Sequence, residues 1–541
     1  MPPTPLSLII AYARAGASGF AWERFAAAGY DRMTQDPAAL GVKGRLLKDR
    51  ALAAQGAERR RLYGEAAAAY GSAAALAGST YPLINAASLS LLSGDGAQAR
   101  DLARRILERI EADPEEPETP YYRAATRAEA LLLLDRESQA REAFAEAVAI
   151  VPLAWEDHAS TLRQFALILG AQGRDPDWLD AYRPPRSLHF GGHMSFDPSV
   201  VRREHLDEKI AAVLAEERVG FGYGALAAGA DIIIAEALVA RGAELHAVLP
   251  GGAAAFAAVS VDPFGKAWRR RFDAVLEKAE TVRPVRPLDT PPDVAMIALA
   301  DEIAMGAALI NGRRLESSAV QLLVLDAAPV GSADGASGRS REIWAAGGWR
   351  QRILTAPRET RRDSPAAAGE ASPFAVLAIG VAGGGADLEP ALAGLEGRVA
   401  ALPPPALPPY LTEDRLILAW RGVGEAAEAA ARLLGGAADG VKLRIGGQYG
   451  PAAIFREPFA GGLRIAPAGT AAAAGALASA PPGTACVTDD FAAALAAAGP
   501  GLPAAEYIGE LTPPDEGPPV GLYALKSYDQ LFEPVGGENG Q

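Results

Sequence analysis

At 541 residues the chain is too long for one hydrophobic core, and roughly three or four domains of ordinary size are expected. Its 66 acidic residues outnumber 52 basic ones, and the formal net charge of -14 repels polyanions and argues against broad nucleic-acid binding. A single cysteine, Cys486, excludes an intrachain disulfide and a cysteine-rich metal site, which suits a reducing cytosol.

The opening stretch MPPTPLSLIIAYARAGASGFAW has an apolar run too short to span a bilayer and no basic region ahead of it, so neither a membrane anchor nor a secretory signal is expected. Residues 18–182 are nearly all helical pattern. RRRLYGEAAAAYGSAAALAG places Tyr63, Ala66, Tyr70 and Ala74 at three- and four-residue spacing. YPLINAASLSLLSGD, ARDLARRILERI and YYRAATRAEALLLLDRESQAREAFAEAVAI follow, each an apolar face closed by a polar or glycine turn, with Gly94-Asp95 and Asp135-Arg136 between helices. Stacked hairpins of this length predict an all-α, tetratricopeptide-like array over residues 1–182, with a surface for a protein partner. The abundance of alanine also fits a GC-rich bacterial genome, so part of the helix signal is discounted.

Residues 187–330 change period. SLHFGGH, VGFGYGAL, AELHAVLP, TVRPV and AVQLLVLD read as strands, and helices of ten to eighteen residues alternate with them. That alternation predicts an α/β Rossmannoid unit, a parallel sheet with helices on both faces. In such a sheet, ligands sit beyond the carboxyl ends of strands, where amides at glycine turns and helix N-termini receive negative oxygens. Gly191 and Gly192 end the first strand, and Gly222 and Gly224 end the second. The two turns form either one anion-binding cradle or a pair of tight turns that the fold requires. His193 is either a contact to phosphate or sugar oxygens or a cap. Glu236, inside IIIAEALVARG, must face a partner or a pocket, and ribose hydroxyls or an ion pair through Arg241 would satisfy it.

Residues 331–372 are polar and bear glycine and proline around one short helix, IWAAGG, which reads as a linker. Residues 373–528 form an α+β unit with a mostly antiparallel sheet. Its strands are FAVLAIGVAG, DRLILAW, VKLRIGGQYG, TACVTD, AAEYIGEL and PVGLYALK, its helices VGEAAEAAARLLGG and PAGTAAAAGALASA, and LPPPALPP is a loop.

Three resemblances attach to these stretches. LHFGGH, GYGALAAGADIIIAEALVARGAELHAVLP and ADEIAMGAAL together resemble the Rossmannoid nucleotide-sensor domains called SLOG, relatives of the lysine-decarboxylase-like and DNA-processing families. That resemblance implies a nucleotide or nucleotide-derived ligand in a pocket lined by Gly191, Gly192, Gly222, Gly224 and Glu236, with His193 beside them. YPLINAASLSLLSGD resembles the TRAFs-binding domain, a tetratricopeptide-like region otherwise found in large signalling kinases. Residues 373–528 resemble the class III adenylate and guanylate cyclase catalytic domain through FAVLAIGV, TEDRLILAW, GVKLRIGGQYG, SAPPGTACVTDDFAAAL, EYIGEL and GLYALK.

Cyclisation asks for two metal ions held by two carboxylates, with polar and cationic side chains for the transition-state charge. Gly380 stands at the first carboxylate position and Ala378 at that of the family's preceding aromatic residue. Asp414, just before RLILAW, is the remnant of the second carboxylate. Ala471 and Gly475 stand where the family carries an asparagine and an arginine, and no arginine follows Arg464. The resemblance therefore implies a degenerate, cyclase-like domain with no catalytic residues and no metal site, kept for pairing with itself or with an intact cyclase.

Together these readings predict a cytoplasmic signalling protein that senses a nucleotide-derived ligand, with no firmly assigned cofactor and no membrane association. The alternatives are an active adenylate or guanylate cyclase, an enzyme that processes a nucleotide derivative with Glu236 as its carboxylate, and a pure interaction protein whose glycine turns are structural.

Overall fold

A computed structural model describes residues 4–113, 119–194, 205–285, 291–326, 335–357, 372–382, 388–412, 415–435, 442–459, 461–511 and 519–526. They divide into two compact units, one ending at Pro184 and the next beginning at Pro185.

The first unit is helical throughout. Its described helices are α1 (Leu6–Arg14), α2 (Ser18–Ala27), α3 (Pro37–Leu52), α4 (Gly56–Ala77), α5 (Thr80–Ser93), α6 (Gly96–Ala112), α7 (Pro120–Leu133), α8 (Glu137–Ile150) and α9 (Trp155–Ala171). Tyr63, Ala66, Tyr70 and Ala74 are buried on one face of α4, as their spacing predicts. Gly94 and Asp135 end helices at φ of 98° and 61°, the left-handed conformation that stops a helix and turns the chain back. The opening apolar run is α1 itself, whose Ile9 and Ala13 pack with Phe25, Val42 and Leu46. One polar rung crosses the apolar array: Glu129 on α7 accepts hydrogen bonds from Ser88 on α5 and Gln164 on α9. Burial pushes the Glu129 carboxyl up to about 7.

The second unit contains two sheets. The first joins β1 (Arg186–Gly192), β2 (Val219–Gly224), β3 (Glu244–Leu249), β4 (Thr281–Pro284), β5 (Ala319–Leu325) and β6 (Arg350–Thr355) in the order β4-β3-β2-β1-β5-β6. Every pair in it is parallel. Leu188, Phe190, Val320 and Leu322 share one apolar cluster with α10 (Leu206–Glu216), α11 (Ala230–Ala240), α12 (Ala253–Ser260) and α13 (Lys266–Leu276). The alternate residues of these strands face α14 (Val294–Arg314) and α15 (Gly335–Ala346), as when Asn311 donates to Ser187 at 3.0 Å.

The sheet continues past the boundary expected at residue 330. The stretch read as linker holds α15 and β6, and β6 pairs with β5 from Val320↔Arg350 to Leu325↔Thr355. Charge disguised this edge strand: Arg350 and Arg352, with Arg186 of β1, all pair with the fully buried carboxylate of Glu217. The helix α14 is long and apolar enough to cross a membrane by composition alone. Just over half of it is buried instead in the fold, against the parallel sheet on one side and the second sheet on the other.

The second sheet runs β14-β15-β13-β10-β7-β9-β8. Its strands are β7 (Ser372–Val381), β8 (Tyr410–Thr412), β9 (Arg415–Trp420), β10 (Leu443–Ala452), β13 (Thr484–Thr488), β14 (Ala504–Leu511) and β15 (Val520–Lys526). Only β10 and β13 pair in parallel, in keeping with a mostly antiparallel expectation. With α16 (Leu388–Ala400) after β7 and α17 (Val423–Gly435) after β9, strands β7 to β10 trace a split β-α-β pattern in which the fourth, first, third and second strands lie side by side. The helix α16 falls just ahead of the LPPPALPP loop, in a stretch for which the sequence predicts no element. A small hairpin, β11 (Ile454–Arg456) with β12 (Leu463–Ile465), precedes α18 (Ala471–Ser479), and α19 (Asp489–Ala497) follows β13.

Candidate functional site

The strand order reverses between β1 and β5. The chain leaves β1 by way of α10 on one face and returns to β5 by way of α14 on the other, so the carboxyl ends of these two neighbours lie at the switch point where α/β sheets hold ligands. Gly192 lies there, paired with Val324. A Cβ on Gly192 would fall 2.5 Å from both the Val324 carbonyl oxygen and the Ala230 Cβ, so only glycine lets the start of α11 rest against β1. Gly191 is less constrained, its nearest neighbour being Leu323 at 3.7 Å. Gly222 and Gly224 serve packing too. A Cβ on Gly222 would sit 2.3 Å from Leu238 of α11, and one on Gly224 would sit 2.6 Å from the Phe190 carbonyl oxygen.

His193 is buried, and its Nε2 donates to the Ala356 carbonyl at 2.8 Å, tying the end of β1 to the residue after β6. Glu236 has a protein partner, but not the Arg241 expected. Arg271 of α13 grips it with Nε at 2.8 Å and Nη2 at 2.5 Å, and the same guanidinium lies 4.3 Å over the Trp268 ring. Six residues beyond the start of α11, Glu236 stands ~9 Å along the helix axis from the crevice end.

Two other carboxyl groups stand closer. Asp231, second residue of α11, is buried, and its Oδ2 accepts the Ala227 N–H at 3.1 Å. The Gly192 N–H also donates to it, so the amides that a glycine-turn cradle would offer to a phosphate are engaged by a side chain of the protein. Burial pushes the Asp231 carboxyl up to about 8; the Ala227 N–H opposes this and the charge of Asp301 adds to it. Asp301 lies on α14, and its Oδ1 is 3.0 Å from His189 Nε2. Gln321 donates to His189 Nδ1 at 2.9 Å, so the imidazole proton is on Nε2 and points at Asp301. Gln351 in turn donates to the Gln321 carbonyl oxygen, which fixes that amide, and Trp344 stacks on the imidazole at 5.8 Å.

This end of the sheet thus has one carboxyl whose protonated form burial favours and one that accepts the Nε2 hydrogen of His189. Such a pair accepts and donates hydrogen bonds to hydroxyls more readily than it receives phosphate. Sequence reasoning passed over Asp231, Asp301 and His189. Two signals were present: polar residues at alternate positions of otherwise apolar strands, His189 and Gln321, and an aspartate two positions after Gly229, the glycine that opens α11.

In the second sheet, a Cβ at Gly380 would meet Leu477 of α18 at 3.4 Å, and Ala378 belongs to an apolar cluster with Phe374, Ile417 and Leu477. A Cβ at Gly475 would fall 2.7 Å from Leu511. Ala471 is the first residue of α18, and Asp414 lies outside the described residues. The described residues contain no group of three or more His, Cys, Asp or Glu side chains placed to hold a metal ion.

A family model described as Tetratricopeptide Repeats-Sensor matches residues 6–90, so the first helices are a tetratricopeptide-like region. No curated protein matches the chain. Among solved structures the chain is similar to an adenylate/guanylate cyclase/hydrolase from Silicibacter pomeroyi, at 17% identity and a TM-score of 0.24 over 30% of this chain and 99% of that one. It is also similar to an adenylate cyclase from Trypanosoma brucei, at 16% identity and a TM-score of 0.25 over 30% of this chain and 92% of that one. A guanylate cyclase domain from Catenaria anguillulae in complex with GTP gives 11% identity and a TM-score of 0.24 over 29% and 96%.

Proposed function

We propose that this chain is a signalling protein in which helical repeats engage a protein partner, the parallel sheet senses a nucleotide-derived ligand, and the C-terminal sheet is a cyclase-like domain without catalytic residues that serves pairing or output. The observation that carries the sensor reading is the reversal of strand order between β1 and β5, with Gly192, the start of α11 and the Asp231 carboxyl at the carboxyl end of β1 and Asp301 against His189 of the same strand. The SLOG-like and TRAFs-binding-like assignments belong to this reading. Within it, Gly191, Gly192, Gly224 and His193 shape the crevice wall, Gly222 and Glu236 seat α11 through Leu238 and Arg271, and Asp231 and Asp301 take the ribose hydroxyls.

The cyclase-like reading is supported by the sequence motifs and by the apolar contacts made where metal ligands would stand, Leu477 against Gly380 above all. Pairing is supported by the β11–β12 hairpin, which exposes Ile454, Phe455, Leu463 and a Phe459 that is 97% accessible.

Thermal unfolding with NAD, ADP-ribose, ATP, GTP and cyclic nucleotides tests the sensor. A ligand present at a hundred times its Kd raises folded-state stability by about 2.7 kcal/mol, a clear shift in Tm. Asp231→Asn should reduce that shift for the ribose form and leave it for a 2′,3′-dideoxy form. No shift with any of these compounds would remove the sensor reading. The purified chain should make no cyclic AMP or cyclic GMP with magnesium or manganese; product that disappears in Asp414→Ala would overturn the inactive assignment.

A further inference from the structure

The helix α14 belongs to both sheets of the second unit. Asp301 and Glu302 are neighbours in sequence, so their side chains leave the helix about 100° apart. Asp301 reaches His189 of β1, three positions before Gly192. Glu302 reaches the other way, accepting the phenol hydrogen of Tyr449 on β10 and lying 3.9 Å from Arg339. One turn on, Gly306 meets α19 so closely that a Cβ there would fall 1.7 Å from the Ala493 carbonyl oxygen. A second route runs beside the first: the fully buried Trp344 stacks on His189 and shares an apolar cluster with Met305 and Leu309 of α14 and Ala496 and Ala497 of α19. Further along the seam, Arg283 of β4 is gripped by Asp489 at 2.7 Å and Asp490 at 2.5 Å, at the start of α19.

We propose that α14, together with Trp344, transmits the state of the β1 crevice to β10 and α19 of the C-terminal sheet. The His189 ring is the input. It touches one side chain on α14 and one ring that packs against α19, so any shift of β1 that turns the imidazole is felt on both routes. The contact cannot absorb such a shift by sliding, because Gly306 and Ala493 are already backbone to backbone, with no side chain between them to yield. A tilt of α14 must therefore move Glu302 and Tyr449, or α19, or both. What that output is for rests on the sensor reading; the mechanical coupling does not.

Hydrogen exchange on the full chain, with no ligand, tests the coupling separately. Asp301→Asn weakens the His189 contact while touching nothing in the C-terminal sheet. Amide exchange should quicken about tenfold or more in β10 and α19, and stay within about twofold in α18, on the opposite face of that sheet. Glu236→Gln, which weakens an ion pair on the far face of the parallel sheet, is the control and should leave β10 and α19 unchanged. If Asp301→Asn does not fold, Tyr449→Phe is read in reverse, with quickened exchange expected in β1. Changes that stop at β1 and β5 for the first variant, or at β10 for the second, overturn the proposal; so does equal quickening in α18. Transmission without any nucleotide-induced Tm shift would leave the coupling standing and the sensor reading lost. A nucleotide shift with a local Asp301→Asn response would do the reverse.

Discussion

Asp231 shows how much one buried side chain can hold. Burial keeps its carboxyl at about 8 in the folded chain, although three backbone N–H groups favour the ionised form, against about 4 for an aspartate in an unfolded chain. Below about pH 4 both states carry the proton and no pH term arises. As pH rises from there towards 8, the unfolded chain has released the proton and the folded chain has not. Folding stability then falls by up to about 1.4 kcal/mol per pH unit, and the loss levels off once the folded carboxyl also ionises. Asp231→Asn keeps a carbonyl oxygen for the Ala227 N–H and has nothing to ionise. Urea unfolding at about pH 5.5 and about pH 7.5 should therefore show the variant gaining on the wild type by on the order of 2 kcal/mol across that interval. Parallel pH profiles for the two proteins would place the Asp231 carboxyl in the ordinary range. Glu236, which the apolar stretch around it made conspicuous, has both of its oxygens held by Arg271.

Among the elements, glycines mark where backbones meet and where they do not. Gly306 in α14 and Gly71 in α4 are both helix-interior residues with ordinary backbone angles. A Cβ at Gly306 would collide with the Ala493 backbone of α19, whereas one at Gly71 would meet nothing within 4 Å. Gly306→Ala should lower the unfolding temperature of the second unit, with a cost of roughly 1–3 kcal/mol or more for forcing α14 away from α19. Gly71→Ala should stabilise the first unit by roughly 0.5–1 kcal/mol, since it adds helix propensity and no clash. Calorimetry of the full chain reads both. A neutral Gly306→Ala would mean that the seam is loosely packed, and it would weaken the case for transmission through α14 as well.

For the molecule as a whole, the open question is whether copies associate. The β11–β12 hairpin presents four apolar side chains to solvent on a chain whose net charge of -14 otherwise keeps copies apart. Phe459 is the most exposed of them. Sedimentation over a range of concentrations should show a dimer, and Phe459→Ser should weaken it at least about tenfold, the scale of losing one buried aromatic anchor. An unchanged association in that variant would move the pairing surface elsewhere, and a wild-type chain that stays monomeric would leave the C-terminal sheet its output role alone.

The sequence by itself determined many of the elements and their order, because period and turn chemistry are local, but it gave no sign of β6, α16 or the β11–β12 hairpin. The face of α4 with Tyr63 and Tyr70, the turns at Gly94 and Asp135, and the strands ending at Gly192 and Gly224 all lie where residues a few positions apart require. Tertiary structure decided which partner each polar residue found. Arg271 is 35 residues from Glu236, and Asp301 is 112 from His189, distances over which no spacing rule operates. It also decided that β6 joins the parallel sheet, since the arginines that make RQRILT look like a linker are neutralised by Glu216 and the buried Glu217 from another part of the chain. The candidate site was legible as a place, the glycine-ended strands at the reversal of the sheet. Its chemistry was not, because burial sets the charge of Asp231, and that burial exists only in the folded chain.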